Sequence, residues 1–187
     1  CLAKDIYEER KRDVDIRVIS SKSCTCGQAA LEIGIAKSIK NGCDNLNNLS
    51  KKITSMISSM STLFTVETLK YMKAGGRIGG ASAFLGKLIN IKPISEFVNG
   101  VVKPIKVVRG RKKSLEKMTN IASSRIKNPD KTIICTQQAL CKEDETYIVK
   151  LLKDTLGKGI KISTGLLGTV IGAHSGPGSI GIGFVEM

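Results

Sequence analysis

Glycine and positive charge are concentrated in one stretch of this chain, KYMKAGGRIGGASAFLGKLINIKPISEFVNGVVKPIKVVRGRKK, from Lys70 to Lys113. Glycines at positions 75, 76, 79 and 80 bracket Arg77 and Ile78. Because glycine has no Cβ, such a segment can adopt positive φ angles and bring its backbone close to a ligand or a neighbouring strand. The spacing therefore predicts a tight turn that holds Arg77 in a fixed position.

The same stretch predicts a short apolar helix over Ala81–Ile89 and a β-hairpin after it. Two strand-like segments, Asn90–Phe97 and Val101–Val108, flank Asn99-Gly100. This dipeptide is favoured in the two-residue turns of hairpins. The second strand then runs into a basic sequence, which predicts an exposed cationic corner made of Arg109, Gly110, Arg111, Lys112 and Lys113.

The positive charge of the chain is unevenly distributed. The formal net charge is +14, and the segment from Glu67 to Lys117 has 12 Lys or Arg against 3 acids, a net of +9. An anionic partner would therefore face this segment. Nucleic acid is disfavoured, because only 4% of the residues are aromatic and none alternates with the basic corner to stack on bases. A basic surface that is only solvated is the simpler alternative.

The cysteine and histidine residues indicate in which cellular compartment the protein is expected and whether a metal site is expected. The six cysteines are too sparse and irregular for the disulfide framework of a secreted protein, so we expect reduced thiols and a cytoplasmic protein. Cys24-Thr25-Cys26 lacks a second pair of ligands, and His174 is the only histidine, so no metal site is predicted. No apolar run approaches the ~18 residues that span a bilayer, so no integral membrane segment is predicted.

Hydrophobic periodicity predicts an α/β protein of two lobes, with a boundary near Ser61. The predicted helices are Gln28–Asn41, a second helix capped by Asp44 or Asn45, one from Leu115 to Ile126, and Lys142–Leu156. The predicted strands outside the hairpin are Val14–Val18, Leu63–Val66, Thr132–Thr136, Ile160–Ser163, Gly168–Ala173 and Ile180–Val185. The predicted domains are residues 1–62, an incomplete first lobe, and 63–187, a second lobe with a mixed sheet and helices.

One glycine pattern matches a dinucleotide-binding motif by letter only. Residues 176–181, GPGSIG, fit the spacing G-x-G-x-x-G. That fingerprint requires a helix after the glycines and an acidic residue about 20 positions later. Only six residues follow Gly181, and they have the pattern of a strand. A nucleotide site is therefore not expected.

Four separated motifs occur in the order KAGGRIGG, NIKPI, VRGRKK and, over residues 172–184, GAHSGPGSIGIGF. Together with a weaker match over Ser21–Gly42, they resemble the DegV family of bacterial fatty-acid-binding proteins across most of the chain. Members of this family begin with a further α/β portion whose Ser/Thr-rich motifs contact the lipid carboxylate. The resemblance thus implies that this sequence is the later part of a longer protein.

The resemblance also implies which residues bind the ligand. In similar proteins, the histidine of the GAHSGPG-like loop and the arginine of GGRIG lie near the carboxylate of a bound fatty acid, which assigns His174 and Arg77 to the mouth of the pocket. We expect Phe84, Leu85, Leu88 and Ile89 to line the pocket itself. The composition alone would favour a structural role for a lone histidine. The chain has no nucleophile-elbow or cysteine-protease signature, so we expect no enzymatic activity and no cofactor other than the bound lipid.

The function implied by the resemblance is to bind a long-chain fatty acid and to present its carboxylate to a separate fatty acid kinase for acyl-phosphate formation. Burial of an acyl tail gives ~0.8 kcal/mol per methylene, so a long chain supplies on the order of 10 kcal/mol before the costs of binding. Arg109 and Arg111 in the cationic corner are the expected kinase contacts. The alternative is a basic nucleic-acid-binding or regulatory protein.

Overall fold

One mixed sheet forms the centre of the fold. The computed structural model describes residues 4–6, 15–84 and 90–187, and for residues 83 and 84 it describes the backbone alone. The strands are β1 (Ser61–Thr65), β2 (Ile91–Val98), β3 (Val101–Arg109), β4 (Thr132–Gln138), β5 (Ile162–Leu166) and β6 (Ile180–Glu186). Their order within the described residues is β3-β2-β1-β6-β4-β5. Neighbouring strands are antiparallel except for β4 and β5, which are parallel.

Helices cover both faces of this sheet, which confirms the predicted α/β class. The α-helices are α1 (Thr25–Lys40), α2 (Leu46–Ser59), α3 (Lys70–Ala74), α4 (Arg111–Arg125), α5 (Lys142–Leu156) and α6 (Thr169–Ser175), with 3-10 turns at Gly79–Phe84 and Pro129–Lys131. Residues 4–6 are also helical. In the part of the chain that the structure describes, no helix combines the length and the apolar character that are needed to cross a bilayer.

The alternation of side chains along each strand separates the core on one face of the sheet from the core on the other. Helices α4 and α5 pack on one face, where the buried cluster includes Leu63, Ile94, Leu115, Met118, Ile134, Ile148, Leu152 and Ile182. Helices α1 and α2 pack on the other face around Cys26, Ala30, Leu31, Met56, Ile133, Cys135 and Val185. Full burial of each large aliphatic side chain stabilises the fold by roughly 1.5–3 kcal/mol. Helices α1 and α2 precede residue 62 and pack on strands that follow this residue. The predicted division into residues 1–62 and 63–187 stays a prediction.

Local signals in the sequence position several of these elements as expected. Asn45 caps α2, since its side-chain oxygen accepts hydrogen bonds from the backbone N–H groups of Asn47 and Asn48 at 2.8 and 3.3 Å. Asn99 and Gly100 both have positive φ angles, 53° and 83°, as a hairpin turn of this type requires. The predicted hairpin and the predicted helix over Lys142–Leu156 are confirmed.

Two strand predictions are wrong. Residues 15–18 form neither helix nor strand, and Val18 is 61% exposed; Val14 lies outside the described residues. The predicted strand Gly168–Ala173 is instead helix α6, in which the N–H of Gly172 donates to the carbonyl of Gly168 at 2.9 Å. A short apolar run with β-branched residues fits either conformation, and periodicity cannot separate the two over so few positions.

Glycines in β6 allow the first turn of helix α1 to pack directly against the sheet. A Cβ atom at Gly183 would overlap the backbone of Cys26 and Gly27, and one at Gly27 would overlap the Thr62 hydroxyl. A Cβ at Gly181 would lie 2.9 Å from Cys26 Sγ. Because these glycines have no side chains, the N-terminal turn of α1 can lie in direct contact with β1 and β6.

We predict that Gly183→Ala destabilises the protein by about 1–3 kcal/mol, because the added methyl group meets backbone atoms that cannot rotate away. Urea denaturation measures this change. Gly159→Ala is the matched control, since a Cβ there has no neighbour within 4 Å, and it should stay within ~0.5 kcal/mol of the parent. Equal stability of the two variants would show that α1 does not lie against β6 in this way.

Candidate ligand-binding site

A largely apolar cavity of about 250 Å³ opens where the start of α1 meets the sheet and α6. Most of its lining consists of aliphatic and aromatic side chains, and Arg77 and His174 are its basic residues. The lining residues are Cys24, Thr25, Phe64, Met72, Arg77, Phe97, Val102, Leu167, Val170, Ile171, His174, Ser175, Ser179, Ile180 and Gly181. Among these described lining residues there is no carboxylate, so the cavity favours an apolar ligand with an anionic or neutral polar group.

Arg77 lies at the exposed rim of the cavity, in the tight turn that its flanking glycines predict. Gly76 and Gly79 have φ angles of +68° and +47°. The backbone N–H of Arg77 donates to the carbonyl of Met72 at 2.9 Å, and its guanidinium Nη1 donates to the carbonyl of Gly75 at 2.9 Å. The loop thus orients its own cation at the cavity mouth.

His174 reaches the same mouth from the last turn of α6, where its side chain is half-buried. Its imidazole ring packs against Gly75, and a Cβ atom there would overlap Nδ1. The structure therefore brings together Arg77 and His174, which are 97 positions apart in the sequence.

Two further contacts join the loops that carry these residues. The ring of Tyr71 occupies the space beside Gly176, and Glu67 occupies the space beside Gly178. Both glycines have a φ of 78°, which L side chains rarely adopt. The glycine motifs of the two loops thus fit into each other, and we refer to residues 67–80 and 172–179 as the interlocked loops.

Strands β1 and β2 supply aromatic walls that sequence reasoning missed. The rings of Phe64 and Phe97 have centroids 5.5 Å apart with planes tilted by 36°. The predicted strand around Leu63 contained a signal, because alternation turns Phe64 away from the core that buries Leu63. Val170 and Ile171 were missed because Gly168–Ala173 was predicted to be a strand, and Leu167 lies just before that segment.

The predicted pocket residues Phe84, Leu85, Leu88 and Ile89 cannot be placed in this cavity or elsewhere. Leu85, Leu88 and Ile89 lie outside the described residues, as does the side chain of Phe84. Their role in lining a pocket stays a prediction.

Burial raises the pKa of three thiols in this part of the fold. Burial raises the pKa of Cys24, which lines the cavity, although a hydrogen bond with Thr25 acts in the opposite direction. Burial raises the pKa of Cys26 to about 12 and that of Cys135 to about 11. Because the thiolate is the reactive form of cysteine, these side chains are poor nucleophiles.

The expectation that Arg111 lies on an exposed corner is wrong. Arg111 is the first residue of helix α4, and its side chain points inward and is 19% exposed. Its Nη2 atom lies 2.7 Å from Asp144 Oδ2. Its Nη2 also donates to the carbonyl of Gly178 at 2.6 Å, which braces one of the interlocked loops. Arg109, Lys112 and Lys113 are exposed as expected.

Comparison with known proteins agrees with the motifs. A sequence model described as "Uncharacterised protein, DegV family" matches residues 1–187. The chain belongs to the DegV family. A DegV domain-containing protein of Clostridium perfringens is 32% identical over 99% of this chain and 64% of its own length. Protein DegV of Bacillus subtilis is 26% identical over 91% of this chain and 60% of its own length. The chain thus spans less than two thirds of the length of these relatives.

Solved structures share the fold. A stearic-acid-binding protein from Eubacterium ventriosum is 28% identical, with a TM-score of 0.87 over 99% of this chain and 64% of that one. A DegV family protein from Thermus thermophilus, 22% identical, superposes with a TM-score of 0.85 over 100% of this chain and 66% of that one. The DegV chain described here therefore has the α/β architecture of its family.

We predict that the interlock in this DegV chain is a direct steric coupling between Gly75 and His174. Gly75 has a φ of −82°, which alanine can adopt, so Gly75→Ala should destabilise the protein chiefly by displacing the imidazole. In a His174→Ala background the same substitution should be tolerated, which gives a coupling energy of roughly 1 kcal/mol or more in a double-mutant cycle.

Gly76→Ala is the control for this cycle. Gly76 has a positive φ of 68°, and a Cβ there has no neighbour within 4 Å. Gly76→Ala should lower the free energy of unfolding through backbone strain alone. The decrease should be the same in the parent and in the His174→Ala background. Equal costs for Gly75→Ala in both backgrounds would contradict the contact.

Proposed function

We propose that this chain forms the acyl-binding part of a protein that binds a long-chain fatty acid. The observation that carries the proposal is the placement of Arg77 and His174 at one mouth of an otherwise apolar cavity. A carboxylate brought to such a mouth gains charge-assisted hydrogen bonds, while its tail leaves water. The stearic acid named for the relative that is 28% identical supports this choice of ligand.

The size of the cavity indicates what share of the ligand it holds. Pockets for small ligands are typically ~300–1,000 Å³, whereas this cavity is about 250 Å³. It suits part of an acyl tail, each methylene of which contributes ~0.8 kcal/mol when buried. We propose that the remaining contacts to a long chain come from other surfaces of the whole protein.

We further propose that the protein presents the bound carboxylate to a separate fatty acid kinase, which forms the acyl phosphate in the cytoplasm. The exposed position of Arg77 supports this, since it leaves a head group at the rim within reach of a partner. The exposed cations Arg109, Lys112 and Lys113 offer a surface that would attract an acidic partner. Burial raises the pKa of the Cys24 thiol that lines the cavity, which supports a role in binding rather than in nucleophilic catalysis.

We predict that His174→Ala and Arg77→Ala each weaken fatty-acid binding by the full-length protein about 10-fold or more, because each removes a hydrogen bond to a charged group, worth ~1.5–3 kcal/mol. Solvent extraction followed by mass spectrometry gives the stoichiometry, and titration gives the Kd. Lys73→Ala, an exposed residue of the same loop that does not line the cavity, is the control. A parent protein that carries no fatty acid would refute the proposed ligand and would favour a nucleic-acid-binding or regulatory role.

We predict that Arg109→Ala slows association with the kinase severalfold and leaves the bound lipid unchanged, since charge steering acts mainly on the association rate. Stopped-flow or surface plasmon resonance at low and high salt measures the effect. Lys158→Ala, in the exposed loop after α5, removes the same charge elsewhere and should leave the rate near that of the parent. Loss of lipid in Arg109→Ala with normal kinase association would contradict the assignment.

A further inference from the structure

A second depression lies on the other side of one cavity wall. It is a cleft of about 620 Å³ between α2, the start of β1 and the tip of the β2–β3 hairpin. Its lining is rich in hydroxyl groups, including those of Ser21, Ser23, Thr54, Ser58, Ser61 and Thr62. Among the residues that the structure describes, Phe97 is the one that lines both this cleft and the apolar cavity.

Strand register places Phe97 on the side of the cavity that faces the cleft. Thr65 pairs with Ile180, and the chain leaves these positions toward the interlocked loops with Arg77 and His174. At the other end of β1, Ser61 pairs with Phe184, and both line the cleft. On β2, Ser95 pairs with Phe64, so Phe97 lies two residues farther toward the hairpin tip and the cleft. Phe97 therefore lies between the cavity and the cleft.

We propose that Phe97 closes the cavity toward the cleft and sets how much of an acyl tail the cavity accepts; this inference rests on the proposed fatty-acid-binding function. An acyl tail that fills the cavity as far as this side meets the Phe97 ring. Beyond the ring, hydroxyl groups line the cleft beside Ile57, Met60 and Phe184, so additional methylenes gain less there than in the cavity.

The contacts of Phe97 hold its ring in place. Its ring packs on Phe64 with centroids 5.5 Å apart, and it is carried by a strand that pairs on both sides. Phe64 lines the cavity but not the cleft. Substitutions of the two rings can therefore be compared directly. A smaller side chain at Phe97 would connect the cavity with the cleft, whereas a smaller side chain at Phe64 would not.

The test measures the Kd of the full-length protein for saturated fatty acids of increasing length. In the parent, affinity should rise by about fourfold per methylene up to a break, beyond which it levels off or falls. Phe97→Ala should move this break to longer chains, and Phe97→Trp should move it to shorter ones. Phe64→Ala should weaken binding at all lengths without moving the break.

Circular dichroism first establishes that each variant is folded, and Phe97→Leu replaces Phe97→Ala if the latter is not. A break that stays at the same length in folded Phe97→Ala or Phe97→Leu and in Phe97→Trp overturns the inference while leaving fatty-acid binding intact. A parent protein that binds no fatty acid of any length refutes the proposed function instead. A shift of the break in opposite directions for the smaller and the larger side chain supports Phe97 as the wall.

Discussion

The fit between the two interlocked loops is the constraint on which the site depends. At three places a side chain of one segment occupies the space that a Cβ on the other would need: His174 at Gly75, Tyr71 at Gly176 and Glu67 at Gly178. Glycine-rich loops lose much entropy when they become ordered, and here reciprocal packing restricts them. Backbone hydrogen bonds from Gly178 to the Ala139 carbonyl at 2.7 Å and from Ala139 to the Ser179 carbonyl at 2.9 Å attach the histidine loop to the end of β4.

Ion pairs outside the cavity contact both interlocked loops. Lys92 is 4% exposed, and its ammonium group donates to both the carbonyl and the carboxylate of Glu67. Arg111 connects Asp144 with the Gly178 carbonyl and lies 3.8 Å from Glu67. Lys92 is buried and Arg111 is mostly buried, so loss of a carboxylate partner would leave a poorly solvated cation without its ion pair. Residues that do not line the cavity thus contact the segments that carry Arg77 and His174.

The sequence predicts features that arise from neighbouring residues and misses those that arise from distant ones. The cap at Asn45, the Asn99-Gly100 hairpin and helix α5 depend on local signals, and all three are found. The inward turn of Arg111 depends on Asp144, 33 positions later, which no local pattern reveals. The aromatic walls at Phe64 and Phe97 depend on which face of the sheet α1 leaves uncovered. Family motifs predicted the meeting of Arg77 and His174, which local periodicity could not.

Strand β3 forms an edge of the sheet, and its sequence limits how another protein can bind there. An edge strand offers unpaired N–H and C=O groups to any chain that can extend the sheet. Along β3, Lys103 and Lys106 are exposed, and Pro104 has no N–H to donate. Strand addition along this edge is thereby disfavoured. A protein that approaches Arg109, at the end of the same strand, has to recognise side chains and their charge, and the affinity of that encounter should be sensitive to ionic strength.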